Sequence, residues 1–284
     1  MTTTAIATSA PVRTEVVGAG RVTAWLHSVW VLTRRNLIHV RREPAQLSDA
    51  TIQPVLFTVL FVTIFGSAMT IAGGSYTDFA IGGLVTMNLT TAAIGTAVGL
   101  SSDLSTGVID RFRTLPMPRS AILVGRTMSD LLASILCASI VCITGWFIGW
   151  RPDNGLPGTI AALGVAVLFA WSLSWVTACI GLTVGDPEAA QGIGLLCLFP
   201  LAFISSCFVP TGGLPTWMRV IADWNPVSAV AGACRELMGN PNPAKDSDVW
   251  PAQHPVLMTF ISVAVILAIA VPTSVHLLRK RTTD

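Results

Sequence analysis

Charge is what this sequence has least of. Only 11% of its 284 residues are Asp, Glu, Lys or Arg, against about 25% in soluble domains. Hydrophobic residues make up 52%, and the mean hydropathy is +0.68. An ordinary soluble domain is excluded; the chain reads as a membrane protein. Other absences narrow the function. No G-x-x-x-x-G-K-[ST] occurs, so the chain carries no P-loop for ATP. There is no H-E-x-x-H, no G-x-S-x-G and no paired Cys/His set, which leaves no candidate catalytic residue and no metal site. His27, His39, His254 and His276 are scattered near membrane boundaries, where histidine snorkels more often than it reacts. Cysteine is present six times without C-x-x-C spacing, mostly inside apolar runs where it acts as a small hydrophobe. A Cys207–Cys234 pairing stays open. No cleavable signal peptide is expected, because Pro11, Arg13, Glu15, Gly18 and Gly20 interrupt the first twenty residues.

What is there is apolar and periodic. Residues 1–20 read as a disordered cytosolic tail. Residues 21–43 read as an amphipathic helix, with Trp25 and Trp30 on an apolar face and Arg34, Arg35, Arg41 and Arg42 on a basic one. That is the pattern of a helix lying in the membrane interface. A transmembrane domain over 50–278 follows, with six expected spans at 50–71, 79–100, 127–149, 159–182, 192–209 and 256–278. The second span contains Gly95-x-x-x-Gly99, which suggests close packing against protein. Pro200 is expected to kink the fifth. Residues 279–284 form a basic tail. The expected fold class is all-α integral membrane.

Between Pro210 and Pro255 lie two apolar pieces too short to span, 215–224 and 227–238, separated by Asn225-Pro226. Two readings stand: a re-entrant hairpin containing Trp217, Asn225, Pro226 and Arg235, or an amphipathic loop lying on the membrane. With the N-terminus inside, thirteen Lys and Arg fall on inner segments and four, Arg151, Arg219, Arg235 and Lys245, on outer ones. The positive-inside rule therefore sets both termini in the cytoplasm of a plasma-membrane protein. The centres of the spans lack ionisable residues, which argues against proton-coupled transport. Energy has to come from elsewhere.

The most charged internal stretch is 101–126, SSDLSTGVIDRFRTLPMPRSAILVGR. Read as a helix over 103–115, it sets Leu104, Val108, Phe112 and Leu115 on one face and Asp103, Thr106, Asp110 and Arg113 on the other. Pro116 and Pro118 then close it. It is either a handle for a cytosolic partner or a solvated loop.

The order of an acidic residue, Gly107, the basic-aromatic-basic triplet Arg111-Phe112-Arg113 and then Leu115-Pro116 closely resembles the first cytoplasmic loop of ABC-2 exporter permeases, above all the daunorubicin-resistance (DrrB-like) branch. Arg34-Arg35 to Glu43-Pro44, the run 53–57 and Phe65-Gly66 resemble that family's lead-in and first span. PTGGLPTWMRVIADWNPVSAVAGACRELMGNP resembles its outer segment. The resemblance implies a coupling helix, with Asp103, Gly107, Asp110, Arg111, Phe112, Arg113, Leu115 and Pro116 docking on a separate ATP-binding subunit. It also implies a homodimer, or a pair with a similar permease. ATP and magnesium would sit on the partner, and this chain binds no cofactor. Where many members carry a glutamate before the coupling-loop glycine, this chain has Ser105-Thr106. The implied cargo is a lipophilic or amphipathic antibiotic or envelope lipid, with a polysaccharide exporter or a non-transporting scaffold as alternatives. Phe57, Met87, Phe199 and Phe203 suit such a cargo and equally suit plain lipid contact. No nucleic-acid partner is expected.

Overall fold

The computed structural model describes residues 18–42, 44–71, 73–108, 120–247 and 249–281. Among them, helices form all regular structure apart from one isolated antiparallel bridge, Ile71 to Gly74. Helix α1 covers Gly18–Arg42 and α2 Pro44–Ala68. They are followed by α3 (Tyr76–Ala92), α4 (Ile94–Ser105), α5 (Ser120–Ile148), α6 (Gly155–Val184) and α7 (Pro187–Phe203). Two short helices, α8 (Thr216–Trp224) and α9 (Pro226–Met238), precede a single turn, α10 (Trp250–Gln253), and the last helix, α11 (Pro255–Arg281).

Five segments among the described residues are long and apolar enough to cross a membrane: Thr51–Ala68, Tyr76–Ser105, Ser120–Ile148, Gly155–Val184 and Pro255–Arg281. The stretch expected as the fifth span differs. Its helix starts earlier, at Pro187, because Asp186 caps it by accepting from the Ala189 N–H at 2.8 Å. It ends at Phe203 after 17 residues, about 26 Å at 1.5 Å per residue and short of a typical hydrocarbon core. Pro200 lies three residues before that end rather than at a mid-span kink.

The segment expected as one helix over 79–100 is two, broken at Ala93 with no proline nearby. Thr86, Asn88, Thr90 and Thr91 all turn their side chains back onto carbonyls one turn earlier, and such back-bonding bends helices. The Ala93 carbonyl accepts from the Thr96 N–H at 3.1 Å and also from Thr177 Oγ1 at 2.7 Å. The basic residues Arg279, Lys280 and Arg281 form the last turn of α11 rather than a separate tail. There Arg281 donates to the carbonyls of Leu182 and Thr183 at the end of α6.

The α3–α4 segment is the centre of the bundle: 78% of its apolar window is buried, against 17% for α2 and 22% for α11. Close approach to it falls on glycine, at one of the expected pair: a Cβ on Gly99 would run into the Arg126 guanidinium. A Cβ on Gly95 would meet nothing, whereas one on Gly83 would collide with the Cys207 carbonyl. Helix α9 lies antiparallel to α3, with Asn240 donating to the Asp78 carbonyl and Arg235 to the Phe79 carbonyl. It also follows α6, where the Asn154 N–H donates to Met238 O and Cys234 Sγ to Ala162 O.

This packing makes a direct prediction. Gly83→Ala will lower the thermal midpoint of the detergent-solubilised protein by roughly 3 °C or more, the effect of about 1–3 kcal/mol of overpacking. Gly95→Ala will leave it unchanged.

Candidate coupling site

The charged stretch leaves the bundle at the end of α4 and returns at the start of α5. Helix α4 does not run on as the expected helix over 103–115. It stops at Ser105, and Gly107 adopts φ +68°, a left-handed conformation that glycine takes without steric cost. Asp103 is therefore the last turn of the preceding span. Asp110, Arg111, Phe112, Arg113, Leu115 and Pro116 lie outside the described residues.

Both ends of the stretch are held by α1. On one side Arg35 Nη2 donates to Asp103 Oδ1 at 2.7 Å, a charge-assisted contact with both side chains partly shielded. On the other, Trp25 Nε1 donates to Ser120 Oγ at 3.3 Å. Between them Val29 and Leu32 pack on Ala121 and Ile122, and Thr33 Oγ1 reaches the Gly125 carbonyl at 3.2 Å. Residues 29, 32, 33 and 36 recur at helical spacing and are buried, so α1 sits on α5 by one face. Trp30, at 65% exposure, looks away from it. Arg34 is exposed; the side chains of Arg41 and Arg42 lie outside the described residues.

A second tie lies about two turns further in. Arg126 Nη2 donates to the Gly95 carbonyl at 2.9 Å, and its Nε lies 3.4 Å from Asp130 Oδ2. Thr96 Oγ1 donates to the same carboxylate oxygen at 2.6 Å. The carboxylate at the edge of the third span is thus neutralised and hydrogen-bonded, as a charge near lipid requires.

At the opposite end of the bundle, Asn225 and Arg235 organise the short helices. Asn225 Oδ1 caps α9 by accepting from the Val227 N–H, while its Nδ2 donates to the carbonyls of Leu201 and Ile204, each at 2.6 Å. Pro226 takes the first position of α9, where its missing N–H costs nothing. Arg235 is fully buried. Its Nε donates to Phe79 O at 2.8 Å and its Nη2 to Ser206 O at 2.7 Å and Cys207 O at 3.2 Å, with the guanidinium 3.6 Å from the Phe79 ring centre. Backbone carbonyls and a ring face, not a carboxylate, receive this charge. Trp217 on α8 is 64% exposed. Cys207 and Cys234 are both free thiols.

Of the residues expected on a cargo path, three join one run of rings. Phe57, Phe61, Phe208, Phe203 and Phe199 follow one another at centroid separations of 5.8, 4.5, 5.4 and 4.2 Å. Phe61 and Phe208 supply the link between α2 and α7. Met87 is buried in the central core and takes no part in the run. The sequence flagged Arg235 but not its partners, which lie 28 to 156 residues away.

A helical membrane protein with a clamped polar excursion between two spans is the class this arrangement defines. The family model described as ABC-2 type transporter matches residues 27–238, and the chain belongs to that family. It is 34% identical over 220 residues to the daunorubicin resistance ABC transporter permease protein DrrB1 of Streptomyces coeruleorubidus, covering 78% of this chain and 76% of that one. It is 23% identical over 224 residues to the probable doxorubicin resistance ABC transporter permease protein DrrC of Mycobacterium tuberculosis, covering 78% and 81%. A putative transport permease ycf38 of Porphyra purpurea is 25% identical over 219 residues, covering 76% and 75%.

The clamp predicts non-additivity. Arg35→Ala and Asp103→Ala will each destabilise the protein, and the double variant will fall short of their sum by about 0.5–1 kcal/mol. A double-mutant cycle of thermal unfolding measures it.

Proposed function

We propose that this chain is the membrane half of an ATP-driven exporter of lipophilic or amphipathic compounds, with ATP hydrolysis supplied by a separate ATP-binding subunit. The observation that carries the reading is the anchoring of both ends of the 101–126 stretch on α1. A solvated loop needs no such fixing, whereas a handle that passes on a partner's movement must be held at both roots. Counting Lys and Arg, with the N-terminus inside, sets this end of the bundle in the cytoplasm of the plasma membrane, where an ATPase can reach it. The docking set is Asp103, Gly107, Asp110, Arg111, Phe112, Arg113, Leu115 and Pro116, the alternating charges giving register by electrostatic complementarity.

In the proposed mechanism two copies of this permease, or this one and a similar one, carry two ATP-binding subunits. Closure of those subunits around ATP displaces the coupling loop. Asp103 passes the displacement to α4, and Ser120 passes it to α5. Helix α1, lying in the membrane interface against lipid, travels with both. The break at Ala93 lets α4 swing while α3 stays packed under α9. Residues 192–209 complete a sixth crossing through α7, and α8 with α9 forms a re-entrant pair on the outer side. By residue offset, Pro226 lies about 18 Å along the axis from Met238, which brings the start of α9 well inside the bilayer.

Cargo follows from the named relatives and the rings. Two relatives carry anthracycline-resistance names, and the run from Phe57 to Phe199 offers ring faces that a planar aromatic compound can stack on. Two outcomes are expected. Reversing charge with Asp110→Lys and Arg113→Glu will reduce the co-purifying ATPase roughly tenfold or more; unchanged co-purification and transport would refute the docking set. Phe61→Leu with Phe203→Leu keeps lipid contact but removes stacking. It will raise the half-saturating concentration of a planar aromatic cargo about 3- to 10-fold in an ATPase-stimulation assay, with non-aromatic cargo unaffected.

A further inference from the structure

A small cavity of about 10 Å³ lies at the Arg235 end of the bundle, between α8, α9, the strap that follows α9 and the first residue of α11. Ser206, Thr211, Asp223, Ser228, Asn242 and Pro255 line it. Two oxygens of this lining, Asp223 Oδ1 and Asn242 Oδ1, are buried and have no hydrogen-bond partner. The Asp223 side chain is only 3% exposed, and its other oxygen, Oδ2, lies 3.6 Å from Arg219 Nε. Neighbouring polar groups of the lining are committed elsewhere. Asn242 Nδ2 donates to the Gly232 carbonyl, and Ser228 Oγ accepts from the Ser206 N–H.

Both orphaned atoms are acceptors, so whatever satisfies them must bring hydrogens or positive charge. The volume admits one particle the size of a water. Local charge chooses between a water and a cation. Arg219 sits beside Asp223, and Arg235 reaches Ser206 Oγ at 3.4 Å. Two positive groups against one carboxylate leave no surplus negative charge to hold a cation. We propose that this cavity binds a single structural water, which donates one hydrogen to Asp223 Oδ1 and the other to Asn242 Oδ1. The water fastens α8 to the strap after α9 and adjoins the serine that Arg235 holds. It gives the buried carboxylate a donor beyond Arg219. This site stands apart from the transport reading and does not depend on it.

A structure of the intact permease in lipid nanodiscs, at a resolution that reveals ordered water, tests it. The expected result is one density peak within hydrogen-bonding distance of both Asp223 Oδ1 and Asn242 Oδ1. An empty cavity, or an Asp223 carboxylate turned so that both oxygens bond to protein donors, would overturn it. A second measurement addresses the occupant. Replacing sodium by choline at constant ionic strength will leave the thermal midpoint unchanged; a midpoint that rises with sodium overturns the water in favour of a bound cation.

Discussion

Away from water, every backbone carbonyl released by a break in a helix needs a donor from the protein itself, and the interior of this chain is arranged around that requirement. The chain leaves helical geometry after Phe203 and again at Asn225. Asn225 answers the first break by donating to Leu201 O and Ile204 O. Arg235 serves the carbonyls that follow the same break, donating to Ser206 O and Cys207 O while reaching Phe79 O on α3. Thr177 adds a donor at the Ala93 carbonyl, which also accepts from the Thr96 N–H, and Arg281 serves the end of α6. A guanidinium suits the crowded case because its five fixed donors serve several carbonyls at once. A lysine in the same place would leave some of them bare.

The two ends of the bundle thus have different physical characters. The Arg235 end is stitched by directional bonds between segments distant in sequence, and it has little freedom to shift without orphaning a carbonyl. The Asp103 end is held by the Arg35–Asp103 ion pair, hydrogen bonds from Trp25 and Thr33, and the apolar patch that α1 lays on α5. Between them α3 and α4 meet at Ala93 without proline, in a run of threonines that already weaken the helix ladder. A bundle stitched at the Arg235 end and interrupted at mid-span suits the reading proposed above, in which the Asp103 end is the one that is driven.

Much of this was legible in the sequence. Long apolar runs bounded by turn residues marked where the long helices lie, and Asn225-Pro226 marked the junction of the short helices because an asparagine cap and a proline at the first position state a helix start locally. What escaped was non-local. Pro200 has the same signature at mid-span or near a helix end, so the early stop at Phe203 could not be read. The break at Ala93 depends on several threonines choosing back-bonded rotamers together, which residue identity alone does not dictate. Gly83 looked like any glycine until Cys207 came against it. The 101–126 stretch stood out by its charge and residue order, yet Gly107 gave no sign in advance that α4 would stop short of it.

In the mechanism we propose, α1 and the two roots of the 101–126 stretch move as one body. Joining Arg35→Cys to Asp103→Cys with a thiol-specific bifunctional linker of arginine's reach tests it most directly. The background would have the exposed Cys197 replaced, and ATP-driven export would be measured in vesicles with the ATP-binding subunit present. Segments that travel together are not hindered by being tied, so transport in the linked protein should match that of the unlinked one. Loss of transport on linking, with binding of the ATP-binding subunit intact, would contradict the account and make relative motion between α1 and α4 part of the cycle.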